Sequence, residues 1–291
     1  TETHTIDLNV EANTKKMKVG SNVTVNLASL AQRYMGDLMA FLDEIEKDST
    51  SEYRNVEYWT MLPTKNYVLT EECLAKLQMA MNNSLSIRGS VGNISVDKLI
   101  KLLDILVINI KMAESNDMEE LEDQTLNRIA HASVSLIFTT FLLEGNDKRL
   151  SLERYILTPL EFIGNSVRKI KKSLTDLTAL RTELSLLHQS ISLLPSYIYQ
   201  KPFLDKGLIT KLIYIFTDLL MDNELDSVSN TLSLQYGRDN VKLESTNILV
   251  SLFTKLPDQR ELIIEELLSN VEKLPVKRVQ RRLRKVESDV F

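Results

Sequence analysis

Between Pro275 and Val286 the chain carries Lys277, Arg278, Arg281, Arg282, Arg284 and Lys285 and no acidic residue. Lys277, Arg281 and Lys285 are spaced by four, as are Arg278 and Arg282, so on a helix the two rows lie side by side. Val276, Val279, Leu283 and Val286 recur at steps of three, four and three and form a separate apolar stripe. The whole chain has a formal net charge of −5, so everything outside these six cations sums to −11. Several cations on one rigid element suit contact with a phosphate backbone, which needs charge and no reading of bases. The segment holds no aromatic side chain on which single strands could stack, so duplex DNA is the nucleic acid it fits. An acidic protein partner and an ordinary solvated face are the competing readings. Arg168, Lys169, Lys171 and Lys172 form a second, weaker basic patch, read most simply as an exposed helix face.

Catalytic chemistry finds little to work with. The histidines are His4, His131 and His188; the last two sit in helical patterns among apolar and small residues, which reads as structural. There is no HExxH, GxxxxGK[ST], GxGxxG or GxSxG pattern. Gly89 and Gly92 lie in a loop without a phosphate-binding context. The single Cys73 excludes an internal disulfide and a multi-cysteine metal site, fits a reducing compartment, and lies beside Leu74 and Leu77 as a buried thiol would. Glu114, Asp117, Glu119, Glu120, Glu122 and Asp123 lack the spacing and glycine of a calcium loop and read as a solvated acidic loop. The expectation is therefore no enzyme, no metal site and no cofactor. No uninterrupted apolar run reaches membrane-spanning length, so no membrane partner is expected. The triplets at Asn22, Asn82 and Asn93 are chance glycosylation matches in the absence of a secretory signal.

The elements that must position the basic run read as helix after helix. With 8 glycines and 6 prolines among 291 residues, the composition favours helix, and the length supports a sizeable core. Residues 1–28 read as a flexible linker, and 29–291 as a helical domain. Leu27 to Lys47 is helical; Asn55 to Leu62 is a short aromatic segment; Thr70 caps a helix through Met81. A loop is expected from Asn82 to Asn93, and a long helix starts at Ser95. Leu126 to Leu143 is apolar on most sides and should be a central buried helix. Ser151 to Thr158, Pro159 to His188 and Asp205 to Asp222 are further helices, and Asn223 to Asp239 a polar loop. From Asn240 three helices follow: one carrying Val241, Ile248, Leu249, Leu252, Phe253 and Leu256; one capped by Asp258 and Glu261, with Leu262, Ile263, Leu267, Leu268 and Val271; and the basic one. Leu-Pro pairs at 62–63, 194–195, 256–257 and 274–275 each close an apolar helical segment. No β-hairpin is expected. The architecture is all-α, a HEAT-like helical-repeat solenoid, with a closed helical bundle as the competing arrangement. The chain opens at Thr1 without an initiator methionine and stops at Phe291 soon after the basic helix, which reads as a piece of a longer protein.

Three stretches, NVEYWTMLPTKNYVLTEECLAKLQMAM, PFLDKGLITKLIYIFTDLLMDNE and NILVSLFTKLPDQRELIIEELLSNVEKLPVKRVQRRLRKV, closely resemble the large subunit of the cohesin loader, the Nipped-B or adherin family, in its budding-yeast form. The resemblance covers residues 25–287, is looser at Asn82–Asn93 and Asn223–Asp239, and at Thr1–Ala28 matches only in composition. It implies a non-catalytic, hook-shaped HEAT-repeat scaffold that works with a smaller TPR-type loader partner in the nucleus, on chromosomes. Together they would place the ring-shaped cohesin complex on DNA and stimulate an ATPase that belongs to cohesin. Implied contacts are duplex DNA, the kleisin and the ATPase-head subunits. The piece would be the N-terminal part of the HEAT-repeat body, with the segment bound by the TPR-type partner upstream and most of the hook downstream. Of the family's functional residues, only the basic run after EKLP, Lys277 to Lys285, carries over. The other reading is a pure protein-interaction scaffold that docks the kleisin or another peptide without touching DNA.

Overall fold

The computed structural model of the chain describes residues 20–87, 94–115, 120–143, 147–172, 174, 176–222, 225 and 232–271. Its helices are α1 (Gly20–Ser49), α2 (Glu71–Ser86), α3 (Val96–Glu114), α4 (Glu120–Leu143), α5 (Glu153–Lys172), α6 (Leu177–Ile191), α7 (Leu194–Gln200), α8 (Lys206–Leu220), α9 (Leu232–Lys255) and α10 (Arg260–Val271). They stack in two rows. In one row α1 packs on α3, α3 on α5, α5 on α8 and α8 on α10; in the other α2 packs on α4, α4 on α6 and α6 on α9. The rows are tied by the sequential pairs α1–α2, α3–α4, α5–α6 and α8–α9, with the short α7 filling the space between α4 and α9. That ladder is the solenoid the sequence predicts: each pair buries its apolar faces against the pairs before and after it.

The core is one continuous cluster from Leu38 in α1 to Ile263 in α10. Helix α4 is its centre. Leu126, Ile129, Ala130, Val134, Leu136, Ile137, Phe138, Phe141 and Leu143 are all buried. By length and composition Asp123–Leu143 would pass for a membrane span, but 83% of its apolar window lies inside the protein, as a core helix requires. A helix apolar all round must be covered all round, and this one is touched by α2, α3, α5, α6 and α7. Side-chain caps fix where neighbouring helices begin. Thr70 accepts from the backbone N–H of Cys73, Asp176 from Thr178 and Ala179, and Asp205 from Gly207 and Leu208.

Several boundaries differ from the sequence reading. α1 starts at Gly20, inside the stretch read as linker, and α2 runs on to Ser86, past the loop expected from Asn82. Pro159 does not divide α5. Its ring removes one N–H, the bond to the carbonyl of Tyr155, and the helix continues to Lys172 because Leu160, Phe162, Ile163, Val167 and Ile170 are all buried beyond it. The break falls at Asp176 instead, where a cap is available. α9 begins at Leu232, within the expected polar loop, because buried Leu234 anchors its first turns. Leu194-Pro195 opens α7, since proline suits the first helical turn as well as it ends one. A 3-10 turn at Pro257–Gln259 takes the place of the capping box expected from Asp258 and Glu261.

The hairpin excluded by the sequence reading is present. Strand β1 (Trp59–Met61) pairs antiparallel with β2 (Tyr67–Leu69) in the register Trp59↔Leu69, Thr60↔Val68 and Met61↔Tyr67. Leu62-Pro63 therefore lies in a hairpin loop and closes no helix; Lys65 there takes φ 61°, the left-handed turn conformation. Arg54 stacks over Trp59 and Tyr67 at 4.7 and 4.3 Å from the ring centres. Asn109, fully buried in α3, receives the Leu69 N–H at 3.3 Å and donates to Ser133 of α4 at 3.1 Å. One amide thus clamps the hairpin and α4 to α3.

Candidate nucleic-acid interface and buried polar centre

The basic run Lys277, Arg278, Arg281, Arg282, Arg284 and Lys285 lies outside the described residues, and so does the side chain of Lys172. The element that precedes it is described. Helix α10 carries Glu261, Glu265 and Glu266 against one cation, Arg260. That guanidinium is engaged: it donates to the carbonyl of Phe253 at 2.8 Å and stacks on the Phe253 ring. The apolar stripe expected on this helix is split between two faces. Leu262, Ile263 and Leu267 pack inward, whereas Leu268 is 63% exposed and Val271 45%.

The second basic patch is not assembled as a set of open cations. Lys171 bridges to Asp218 at 2.7 Å and Asp222 at 3.3 Å across the α5–α8 seam. Burial pulls its ammonium down, but those two carboxylates outweigh it and hold it above the usual lysine range. Arg168 is exposed and bonded to Asn165 one turn back; Lys169 is exposed.

Similar pairs recur along the solenoid. Lys98 and Lys101 of α3 meet Asp43 and Glu46 of α1. Arg128 of α4 meets Glu71 of α2 at 3.0 Å, Arg154 of α5 meets Asp104 of α3 at 2.8 Å, and Lys211 of α8 meets Glu161 of α5 at 3.1 Å. In each of these the later helix supplies the cation and the earlier one the carboxylate; Lys171 with Asp218 runs the other way. The partners are some fifty residues apart in sequence, out of reach of any spacing rule.

A buried polar centre lies where α4, α5 and α6 meet; its only trace in the sequence is a histidine within an apolar helix. His131 is fully buried; its Nδ1 lies 2.6 Å from Ser190 Oγ and its Nε2 3.5 Å from Ser166 Oγ. Glu183 Oε2 stands 3.9 Å from Nε2, and Glu183 Oε1 accepts from Asn127 Nδ2 at 2.7 Å. Phe162 meets the imidazole edge-on at 4.8 Å. A serine, a histidine and a carboxylate in line invite comparison with a nucleophilic triad. Here Ser190, Ser166 and His131 are buried, and Ser190 also lies within bonding distance of the Leu186 carbonyl, so no substrate reaches the hydroxyl. Burial, seconded by the nearby Lys169 charge, pushes the imidazole down to about 3, so it is neutral. Burial raises Glu183. The centre locks three helices together.

Cys73 is buried, and burial pushes its thiol up to about 12, which leaves it unreactive at neutral pH. Of the acidic loop, Glu114 accepts from Asn165 of α5 at 2.6 Å. Among the described residues no three of His, Cys, Asp or Glu are grouped to hold a metal ion.

A groove of about 500 Å³ opens between α5, α8 and α10. Leu160, Val167, Tyr214 and Ile215 give it apolar walls, and Gly164 lies among them. The Glu161–Lys211 pair, Arg168, Asp218 and Glu266 rim it.

No family model matches the chain. Among solved structures, the Chaetomium thermophilum cohesin loader SCC2, C-terminal fragment, shares the fold: TM-score 0.68 at 18% identity, covering 86% of this chain and 21% of that one. Sister chromatid cohesion protein 2 of Saccharomyces cerevisiae is 42% identical over 282 residues, which take in 97% of this chain and 19% of that protein. The chain spans about a fifth of the length of these relatives. Over nearly all its residues it is similar to one segment of a sister chromatid cohesion protein.

Proposed function

We propose that this chain is a non-catalytic scaffold segment of a cohesin-loading protein, which helps place cohesin on chromosomal DNA and stimulate its ATPase. The observation that carries the reading is the 42% identity to the yeast cohesion protein, extending over 97% of the chain. Two structural features support it. The helices form a two-row solenoid with one continuous core, a stiff body suited to holding partners at fixed separation. Among the described residues, His131 and Cys73 are both withdrawn into the core.

In this reading the segment belongs to the N-terminal part of the HEAT-repeat body, and the TPR-type loader partner engages residues upstream of it. The protein acts in the nucleus, on chromosomes, with the kleisin and ATPase-head subunits of cohesin as partners. Lys277, Arg278, Arg281, Arg282, Arg284 and Lys285 contribute backbone contacts to duplex DNA. Arg168 and Lys169 are a secondary basic surface. Holding DNA and cohesin on one rigid body raises the effective concentration of each for the other.

The test is duplex DNA binding by the chain across a salt series, beside a variant with Arg278, Arg281, Arg282 and Lys285 changed to alanine. Every cation taken off the phosphate backbone should flatten the log–log salt slope by about one unit. Equal slopes for the two proteins would remove DNA from the last helix. The groove between α5, α8 and α10 favours a second reading, docking of a kleisin or other peptide without DNA contact. Peptide binding of that kind would weaken with Tyr214→Asp and vary little with salt.

A further inference from the structure

We propose that Ser151 is a phosphorylation site, and that the phosphate it acquires docks against the Lys201 ammonium at the N-terminus of α5. Ser151 is exposed and ends a 3-10 turn, Lys148–Ser151, just before α5 begins at Glu153. The chain around it reads Lys148-Arg149-Leu150-Ser151-Leu152, with two cations ahead of the hydroxyl and an apolar residue after it. A serine kinase whose substrate cleft is acidic selects that charge pattern. Lys148 and Arg149 are both exposed. Arg149 pairs with Asp97 at 2.9 Å and Asp147 at 3.1 Å, surface contacts that solvent screens and a kinase can displace. Leu150 is buried, so the kinase takes the turn in its locally opened state. Opening breaks a short element, closed by the Leu150 N–H on the Asp147 carbonyl at 3.2 Å.

The phosphoryl group comes from ATP. The bond from Ser151 Oγ to the γ-phosphorus forms, the bond from that phosphorus to the β,γ-bridging oxygen breaks, and ADP leaves. The hydroxyl proton passes to the catalytic carboxylate of the kinase.

The fold holds a receptor for the product. Lys201, 4% exposed at the end of α7, donates from Nζ to Ser151 Oγ at 3.3 Å and lies over the rings of Phe141 and Tyr197. Burial pulls this ammonium down, and an anion beside it works against that pull. The backbone of Lys201 is braced as well: Lys255 of α9 donates to its carbonyl and to that of Tyr199. Leu152, the residue before α5, has no side-chain acceptor, so phosphate oxygens can serve the first N–H groups of the helix and meet its positive end. Asp147 and Glu153 are the opposing charges on this segment, set against Lys148, Arg149 and Lys201. The docked phosphate therefore ties the entry of α5 to the end of α7, across a sequence separation of 50 residues.

The test is incubation of the 291-residue chain with ATP and the cyclic-AMP-dependent protein kinase, followed by mapping of the phosphate and thermal unfolding. Ser151 should carry the phosphate, and Ser151→Ala should lose it. Phosphorylation should raise the unfolding midpoint by about 2–4 °C in the parent and leave it unchanged in Lys201→Met. Phosphorus NMR supplies a second readout that needs no lysine variant. In the folded chain the phosphoserine should titrate below the same group in the urea-unfolded chain, because the ammonium and the helix end favour its dianion. No phosphate on Ser151 of the folded chain would overturn the proposal. So would a phosphoserine that titrates alike folded and unfolded, or one that leaves the parent's midpoint unchanged or lowers it.

Discussion

The buried imidazole of His131 makes the stability of this protein depend on pH in a way that one substitution should erase. In the unfolded chain a histidine titrates near 6.5, whereas in the fold burial holds this one at about 3. A lowered histidine binds its proton less readily folded than unfolded. Its contribution is complete above the unfolded value and is lost as pH falls from about 6.5 towards 3. Integrating between pH 7.5 and pH 5 gives a loss of about 2 kcal/mol from this residue alone. Glu183 works in the opposite sense: its raised value favours the fold at low pH and withdraws that support as pH rises through the folded value. Lys169 and Asp123 also bear on the pair and remain in both proteins compared. The assay is urea unfolding of the parent and His131→Gln at the two pH values. The glutamine keeps a polar group near Ser190 without a titrating site. The parent should lose about 2 kcal/mol more than the variant on acidification. Equal losses would mean that His131 is not held neutral by the fold, and would refute the reasoning.

Other consequences follow from the packing. Phe138→Ala, at a fully buried position where α4 meets Tyr197 of α7, should cost about 3–5 kcal/mol in chemical denaturation. Thr70→Ala removes the cap of α2 and should cost about 1 kcal/mol, with faster amide exchange in the first turn of that helix. Arg154→Ala breaks a pair whose members are 57% and 46% exposed and screened by solvent, so the same assay should show little change in stability.

How much of this is legible in the sequence depends on the range of the interaction. The burial of α4 is readable because an all-round apolar helix has one place to go. Thr70 is readable because a cap acts over three residues. Pro159 misleads because the penalty of one missing bond is local, while the burial that outweighs it comes from α3, α6 and α8. The hairpin is hard to see because its strands are three residues each, too short for an alternation to register, although Pro63 and Asn66 mark its turn. The start of α9 at Leu232 is hidden by exposed polar positions around Leu234. His131, Ser166 and Glu183 come from three helices, and the inter-helix ion pairs from residues some fifty apart. Such sites exist only once the rows have stacked.

The central claim is that this segment helps bring cohesin to DNA. The direct measurement is chromatin-bound cohesin in cells whose full-length protein carries Arg278, Arg281, Arg282 and Lys285 as alanines, or Tyr214→Asp in the groove. Folded protein levels are checked in parallel. The account predicts a clear fall in chromatin-bound cohesin for the charge variant at unchanged protein level. Cohesin bound at the parent's level in both variants would contradict it.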